Sequence, residues 1–372
     1  MGETIERFFV GESMNRHELT ERLDRVAPAL SDNNLVPVLS HFWFSNNALV
    51  AYNDQIAIST KLTSSFAGAV PGGLLMSLLS ASKAKDVEFF VGEDSDGKKL
   101  PDGQLLIKAA SSKLKLPFLP EEQTKIFEMP KPNPAEALPV DMTAFLQAIS
   151  DCTKSLREDT SMPDSLGITI SVENDIIKFY ATNDATISYS TVKVKSHATN
   201  YRVVLSGNFC RQMLSLAKLS DKKHIEIHPD YSLFQCGDTI LFGRLVDVQR
   251  PLDFDSVIEG SFPKEIHKNL VAIPSKLQLI LERAVIITES KTERPKTAIT
   301  VKQGIARFLS KSEERGEVRD SCQVEPQHPD VSVSIDPRLF RAGFGAFDKM
   351  ILTEQCLVMT KGSSVYLVSA SH

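Results

Sequence analysis

Apolar positions along the chain follow two alternating periods. Six segments carry apolar residues at the three-to-four spacing of an amphipathic helix. They begin near Met14, Pro71, Asp141, Ser206, Pro274 and Asp336, so a helix recurs roughly every 60–70 residues. Leu19, Leu23, Val26, Ala27 and Leu30 fall on one stripe of the first, and Met142, Phe145, Leu146, Ile149 and Leu156 on one stripe of the third. The fifth uses Leu277, Ile280, Leu281 and Ala284, and the sixth Phe340, Phe344 and Phe347. Ser206 and Asp336 are good N-caps, and Pro71, Pro274 and Pro337 suit a first helical turn.

Between these segments the period drops to two or to short apolar runs, which predicts strands. LGITISV (166–172), IIKFYAT (176–182), ISYSTVKVK (187–195) and YRVVLS (201–206) are examples, with turns at Glu173-Asn174-Asp175 and Gly237-Asp238. Each unit reads as a helix followed by three or four strands. AYNDQIAIST (51–60) and YATNDATISYST (180–191) share a strand, an Asn-Asp turn and a second strand, about 130 residues apart. IARFLSKSEERGE (305–317) lies about one period further on without the Asn-Asp. The expected fold class is therefore α+β: three similar domains, each a duplicated helix-plus-strands unit. MPKPNPAEALP (129–139), with its four prolines, reads as a stiff linker, and a second boundary falls near Ile258-Glu259-Gly260. This places the domains at 1–128, 138–259 and 260–372.

Composition narrows the function by exclusion. The balance of 42% apolar and 24% charged residues is that of a globular protein. Neither an apolar run of about 18 residues nor a signal-type N-terminus is present, since MGETIERFFVGES starts acidic; a cytoplasmic protein without a membrane partner is expected. Cys152, Cys210, Cys236, Cys322 and Cys356 are scattered and read as small buried residues. His224, His228 and Asp230 suggest metal ligands, and alternation puts the two histidines on one strand face, but a third and fourth ligand are not evident, so no metal is assigned. There is no Walker loop, GxGxxG or GxSxG, and Glu313-Glu314 lies in a charged turn; neither catalytic residues nor a cofactor is expected. The formal charge of −5 argues against a generally basic DNA binder.

Leu35-Val36-Pro37-Val38-Leu39-Ser40 follows the first helix, and Asn53-Asp54 and Asn183-Asp184 form matching turns. Leu245-Val246-Asp247, Pro251, Asp253 and Val257-Ile258 come before the second boundary, and Val365-Tyr366-Leu367-Val368 near the C-terminus. In this order the set resembles the bacterial DNA polymerase III beta subunit, the sliding clamp, over essentially the whole chain. The resemblance implies a non-enzymatic processivity factor, a head-to-tail homodimeric ring around double-stranded DNA. Its helices would line the hole, its strands would form the rim, and its partners would be a DNA polymerase and a clamp loader.

On that reading the helices carry the DNA-facing cations, without sequence readout: Arg22, Arg25, Lys83, Lys85, Lys154, Arg157, Arg211, Lys218, Lys276, Arg283, Arg338 and Arg341. The family's partner-peptide groove, carried over by position, falls on Leu166, Thr182, Asp184, Ala185, Thr186, Ile187, Pro251, Val257, Leu367 and Ser369. Asp184-Ala185-Thr186 stands where the family has a glycine-histidine-arginine run, and Ser369-Ala370-Ser371 where it has methionine-proline-methionine. These departures fit a divergent clamp, of the kind a phage or mobile element with its own polymerase would encode. The competing readings are a clamp-fold interaction scaffold that does not encircle DNA and an unrecognised hydrolase on repeated α+β units.

Overall fold

The computed structural model describes residues 10–32, 36–45, 47–121, 127–156, 166–183, 185–194, 200–248, 252–261, 269–289 and 295–371. Among them are seven α-helices: α1 (Arg16–Val26), α2 (Gly72–Ala81), α3 (Met142–Cys152), α4 (Gly207–Leu216), α5 (Phe254–Ser261), α6 (Leu277–Thr288) and α7 (Pro337–Gly343). The order helix, four strands, helix, three strands occurs three times, led by α1, α3 and α6, with the two-residue strand Leu119–Pro120 added after the first and α5 and Val271–Ala272 after the second.

The caps explain where the helices begin. The Asn15 carboxamide accepts from the His17 and Glu18 amides, Asp141 from Ala144, Asp336 from Arg338, and the Ser206 hydroxyl from Phe209. Their buried stripes keep Leu19, Leu23 and Val26 in α1, Phe145 and Ile149 in α3, and Leu277, Ile280, Leu281 and Ala284 in α6. Some expected helical residues fall beyond the helices. Ala27 is in a short 3-10 turn and Leu30 just after it, Leu156 follows another such turn, and Phe344 and Phe347 come after α7. The sequence reading also missed α5, whose eight residues are too few to show a period.

Two compact units form, residues 1–138 with 211–244, and residues 139–210 with 245–372. In the first, strands 223–227, 231–236 and 239–244 join strands 56–61, 48–52, 41–44 and 68–71 in one eight-stranded sheet ending at Leu119–Pro120. The joint pairs Gly243–Thr239 with Ile56–Thr60. In the second unit, strands Tyr201–Ser206, Gly167–Glu173, Ile176–Thr182 and Thr186–Lys193 join Ser364–Ser369, Cys356–Lys361, Lys349–Leu352 and Val271–Ala272. There the joint pairs Thr186–Tyr189 with Val368–Val365. Each unit also holds a separate four-stranded sheet, ending at edge strand Ser112–Pro117 in the first and Gly316–Gln323 in the second.

Both joints bury a pair of hydroxyls across the strands, Thr60 with Thr239 at 3.0 Å and Ser190 with Ser364 at 2.9 Å. The turns repeat as well. Asn53 Oδ1 accepts from the Gln55 and Ile56 amides, and Asn183 Oδ1 from the Ala185 and Thr186 amides. Asn174 and Asp175 take φ of 49° and 62°, the left-handed pair that a two-residue hairpin turn needs. The proline-rich segment lies on edge strand Lys223–Ile227, where the Leu138 amide donates to the Ile225 carbonyl at 2.8 Å. Covering an edge in this way blocks unwanted strand pairing.

Candidate DNA-facing and partner-binding surfaces

The proposed DNA-facing cations fall into two groups. Lys83, Lys85, Arg211, Lys218 and Arg341 are exposed and make no ion pair among the described residues. Lys276 is exposed at the N-cap of α6, where its Nζ donates to the Ser321 carbonyl. Others are tied to their own chain. Arg22 and Arg25 both face Asp238, at 2.7 and 3.9 Å. Arg283 forks onto Asp320 and Arg338 onto Asp336. Lys154 is half-buried over the Phe347 ring and donates to the Ser150 carbonyl, and desolvation lowers its pKa. Lys83, Lys85, Lys154 and Lys218 also lie just past the ends of their helices rather than within them. Arg157 lies outside the described residues.

The groove residues separate by sheet face. Ile187 and Leu367 are direct cross-strand partners, and Val358 pairs with Leu367 in turn. With Ile351 and Cys356 they form an apolar cluster against which Leu270 and Val365 also pack. Leu367, Val358, Ile351 and Cys356 are buried, so Ile187, Leu270 and Val365 are its half-buried surface. At one end Ser369 Oγ donates to the Ala185 carbonyl, and Thr182 Oγ1 to the Thr186 carbonyl. Thr186 does not belong to this face: alternation from Ile187 turns it inward, opposite Val368, and it is buried. Leu166 and Val257 are half-buried but do not pack on the cluster. Val257 rides on α5, which is anchored where Phe254 stacks on Tyr180 and Asp255 accepts from the Tyr180 hydroxyl at 2.7 Å. Asp184, Pro251 and Leu35 lie outside the described residues. Sequence reasoning missed Ile351, Cys356, Val358, Leu270 and Val365; alternation from Leu367 marks Val365, but strand pairing was needed to find the others.

The other unit carries a counterpart of this face. Counting from the two turn asparagines, Ala57 corresponds to Ile187, and Ala57 pairs with Phe242 as Ile187 does with Leu367. There the chain's own connecting segment covers the apolar face. Phe127 stacks on Tyr52 at 4.2 Å and leans on Phe242 at 5.0 Å, with Met129 beside it.

No protein-family model matches the chain. The beta sliding clamp of Micrococcus luteus is 24% identical over 295 residues, covering 75% of this chain and 86% of that protein. Among solved structures, the DNA polymerase III beta subunit of Thermotoga maritima matches with a TM-score of 0.78 at 14% identity, over 98% of this chain and 100% of that one. The sliding clamp of Pseudomonas aeruginosa, solved with griselimycin bound, matches at 0.78 with 16% identity, over 97% and 99%. That of Bacillus subtilis gives 0.78 at 14%, over 98% of both chains. The fold is therefore the DNA-clamp fold. Over nearly its whole length the chain shares this fold, and over 295 residues a 24% sequence identity, with bacterial sliding clamps of the DNA polymerase III beta-subunit type. These relatives are bacterial and lend no support to a phage or mobile-element origin.

Proposed function

We propose that the protein is a processivity factor that encircles duplex DNA as a homodimer and tethers a replicative polymerase. It is not an enzyme. Its three domains are those at 1–128, 138–259 and 260–372, and the threefold order of elements is the observation that carries the reading. The edge strands Ser112–Pro117 and Gly316–Gln323 support dimerisation: each leaves one side of its backbone without a strand partner among the described residues, and joining them between subunits would continue the sheet. Lys83, Lys85, Arg211, Lys218, Lys276 and Arg341 are the cations left to meet phosphates. The face of Ile187, Leu270 and Val365 receives the polymerase's peptide. A clamp loader opens the ring, and the cytoplasm is where it works; no helix among the described residues is long and apolar enough to cross a membrane.

Reversing Arg211 and Lys218 to Glu tests the DNA reading. Both are exposed, so the fold should survive. Loaded by its own clamp loader, the double variant should slip from circular duplex DNA at salt concentrations that the parent withstands. Equal retention of both proteins would remove these residues from the DNA path. The scaffold alternative has one supporting observation, the neutralisation of Arg22, Arg25, Arg283 and Arg338 by nearby carboxylates. It requires that the parent, too, is not retained on circular DNA.

A further inference from the structure

Folding brings a second carboxylate to the stretch that carries His224, Glu226 and His228. Glu226 lies between the two histidines on the same strand face and is only 1% exposed. Its Oε1 accepts from the Asn133 amide at 2.7 Å and faces His224 Nε2 at 3.1 Å. Its Oε2 faces His228 Nε2 at 3.3 Å. The proline-rich segment also brings in Glu136, from far away in sequence, with Oε2 3.6 Å from His228 Nδ1. Asn133 Nδ2 holds the other oxygen of Glu136 at 2.7 Å, and Tyr231 stacks on the His228 ring at 4.4 Å. Asp230 is exposed in the adjoining turn and takes no part.

We propose that Glu136, Glu226 and His228 form a binding site for a divalent transition-metal ion of the zinc class. Their donor atoms lie within 4.8 Å of one another. A tetrahedral ion with bonds of ~2.1 Å holds its donors about 3.4 Å apart, which the 3.3 Å between His228 Nε2 and Glu226 Oε2 matches, while Glu136, which faces the other ring nitrogen, is an exposed side chain that would turn to complete the set. His228 gives the ion one ring nitrogen, and a fourth position is left for water. A mixed imidazole and carboxylate set suits zinc better than magnesium or calcium, which prefer oxygen alone. Two carboxylates close together, one of them buried, are balanced by a dication. Because Oε1 of Glu226 is already held by Asn133 and His224, the carboxylate is oriented with Oε2 toward the ion, the kind of support that tunes metal ligands. The bound ion would fasten residues 133–138 to edge strand 223–227, adding to the backbone bond from Leu138 to Ile225 and the bond from the Asn133 amide to Glu226.

The test uses the untagged full-length chain, stripped with a chelator and dialysed against zinc chloride in excess magnesium. About one zinc ion per chain should be taken up, with a rise in Tm. Glu136→Gln changes an exposed side chain and His228→Ala a half-buried one; each should weaken zinc binding by at least about tenfold. Asp230→Asn should bind as the parent does. No zinc uptake, or uptake unchanged in both Glu136→Gln and His228→Ala, would overturn the site, as would equal weakening in Asp230→Asn.

Discussion

Single buried residues set the pH response of the fold. His328 is buried with both ring nitrogens engaged: Nε2 accepts from the Leu352 amide at 3.0 Å, which leaves Nδ1 to donate to the Pro329 carbonyl at 2.8 Å. That arrangement needs the neutral ring, and desolvation lowers the pKa below its ordinary 6.5. His41 shifts the same way for the same reason. The unfolded chain therefore takes up protons that the folded chain refuses, so stability held above about pH 6.5 drains away as the pH falls through it. Tm measured from about pH 7.5 to 5.5 should fall, and less steeply in His328→Gln, which has no ring to protonate. An identical slope would assign the loss to other groups. At the proposed partner surface, Ile187 is the residue to change: Leu367 is nearly covered, and a charge there would act on the fold. Ile187→Asp should weaken polymerase binding at least tenfold, about 1.4 kcal/mol, with the ring still assembled. Unchanged affinity would place the polymerase elsewhere.

At the scale of elements, pairing carries what individual strands do not show. The hydroxyl pair of Ser190 and Ser364 is buried at the joint of two sheet halves, and its removal can be read thermodynamically. Ser190→Ala leaves Ser364 unpartnered and should cost about 1–3 kcal/mol in chemical denaturation. The double change to alanine should cost less than the sum of the two single changes; strict additivity would mean that the pair is not coupled. The helices were legible because their caps and stripes lie within a few residues, and the start expected at Asp141 is the N-cap observed. Strand 176–182 matched residue for residue. What stayed hidden depended on distant chain. The apolar face around Ile187 needs strand Cys356–Lys361 across the joint, and the metal-binding set needs Glu136 beside a strand nearly ninety residues later. Ion pairs such as Arg22 with Asp238 were equally invisible, since the period of α1 says which face is polar but not what meets it.

For the whole molecule, the central claim is that two copies close around DNA. Each chain offers a threefold order of elements and, at Ser112–Pro117 and Gly316–Gln323, edge strands with one side unpaired among the described residues. Electron micrographs of the purified protein, with its mass measured on the same sample, test this most directly. A mass near twice 41.1 kDa and rings with a central hole wide enough for duplex DNA are expected. A monomer, or a dimer without a hole, would contradict it.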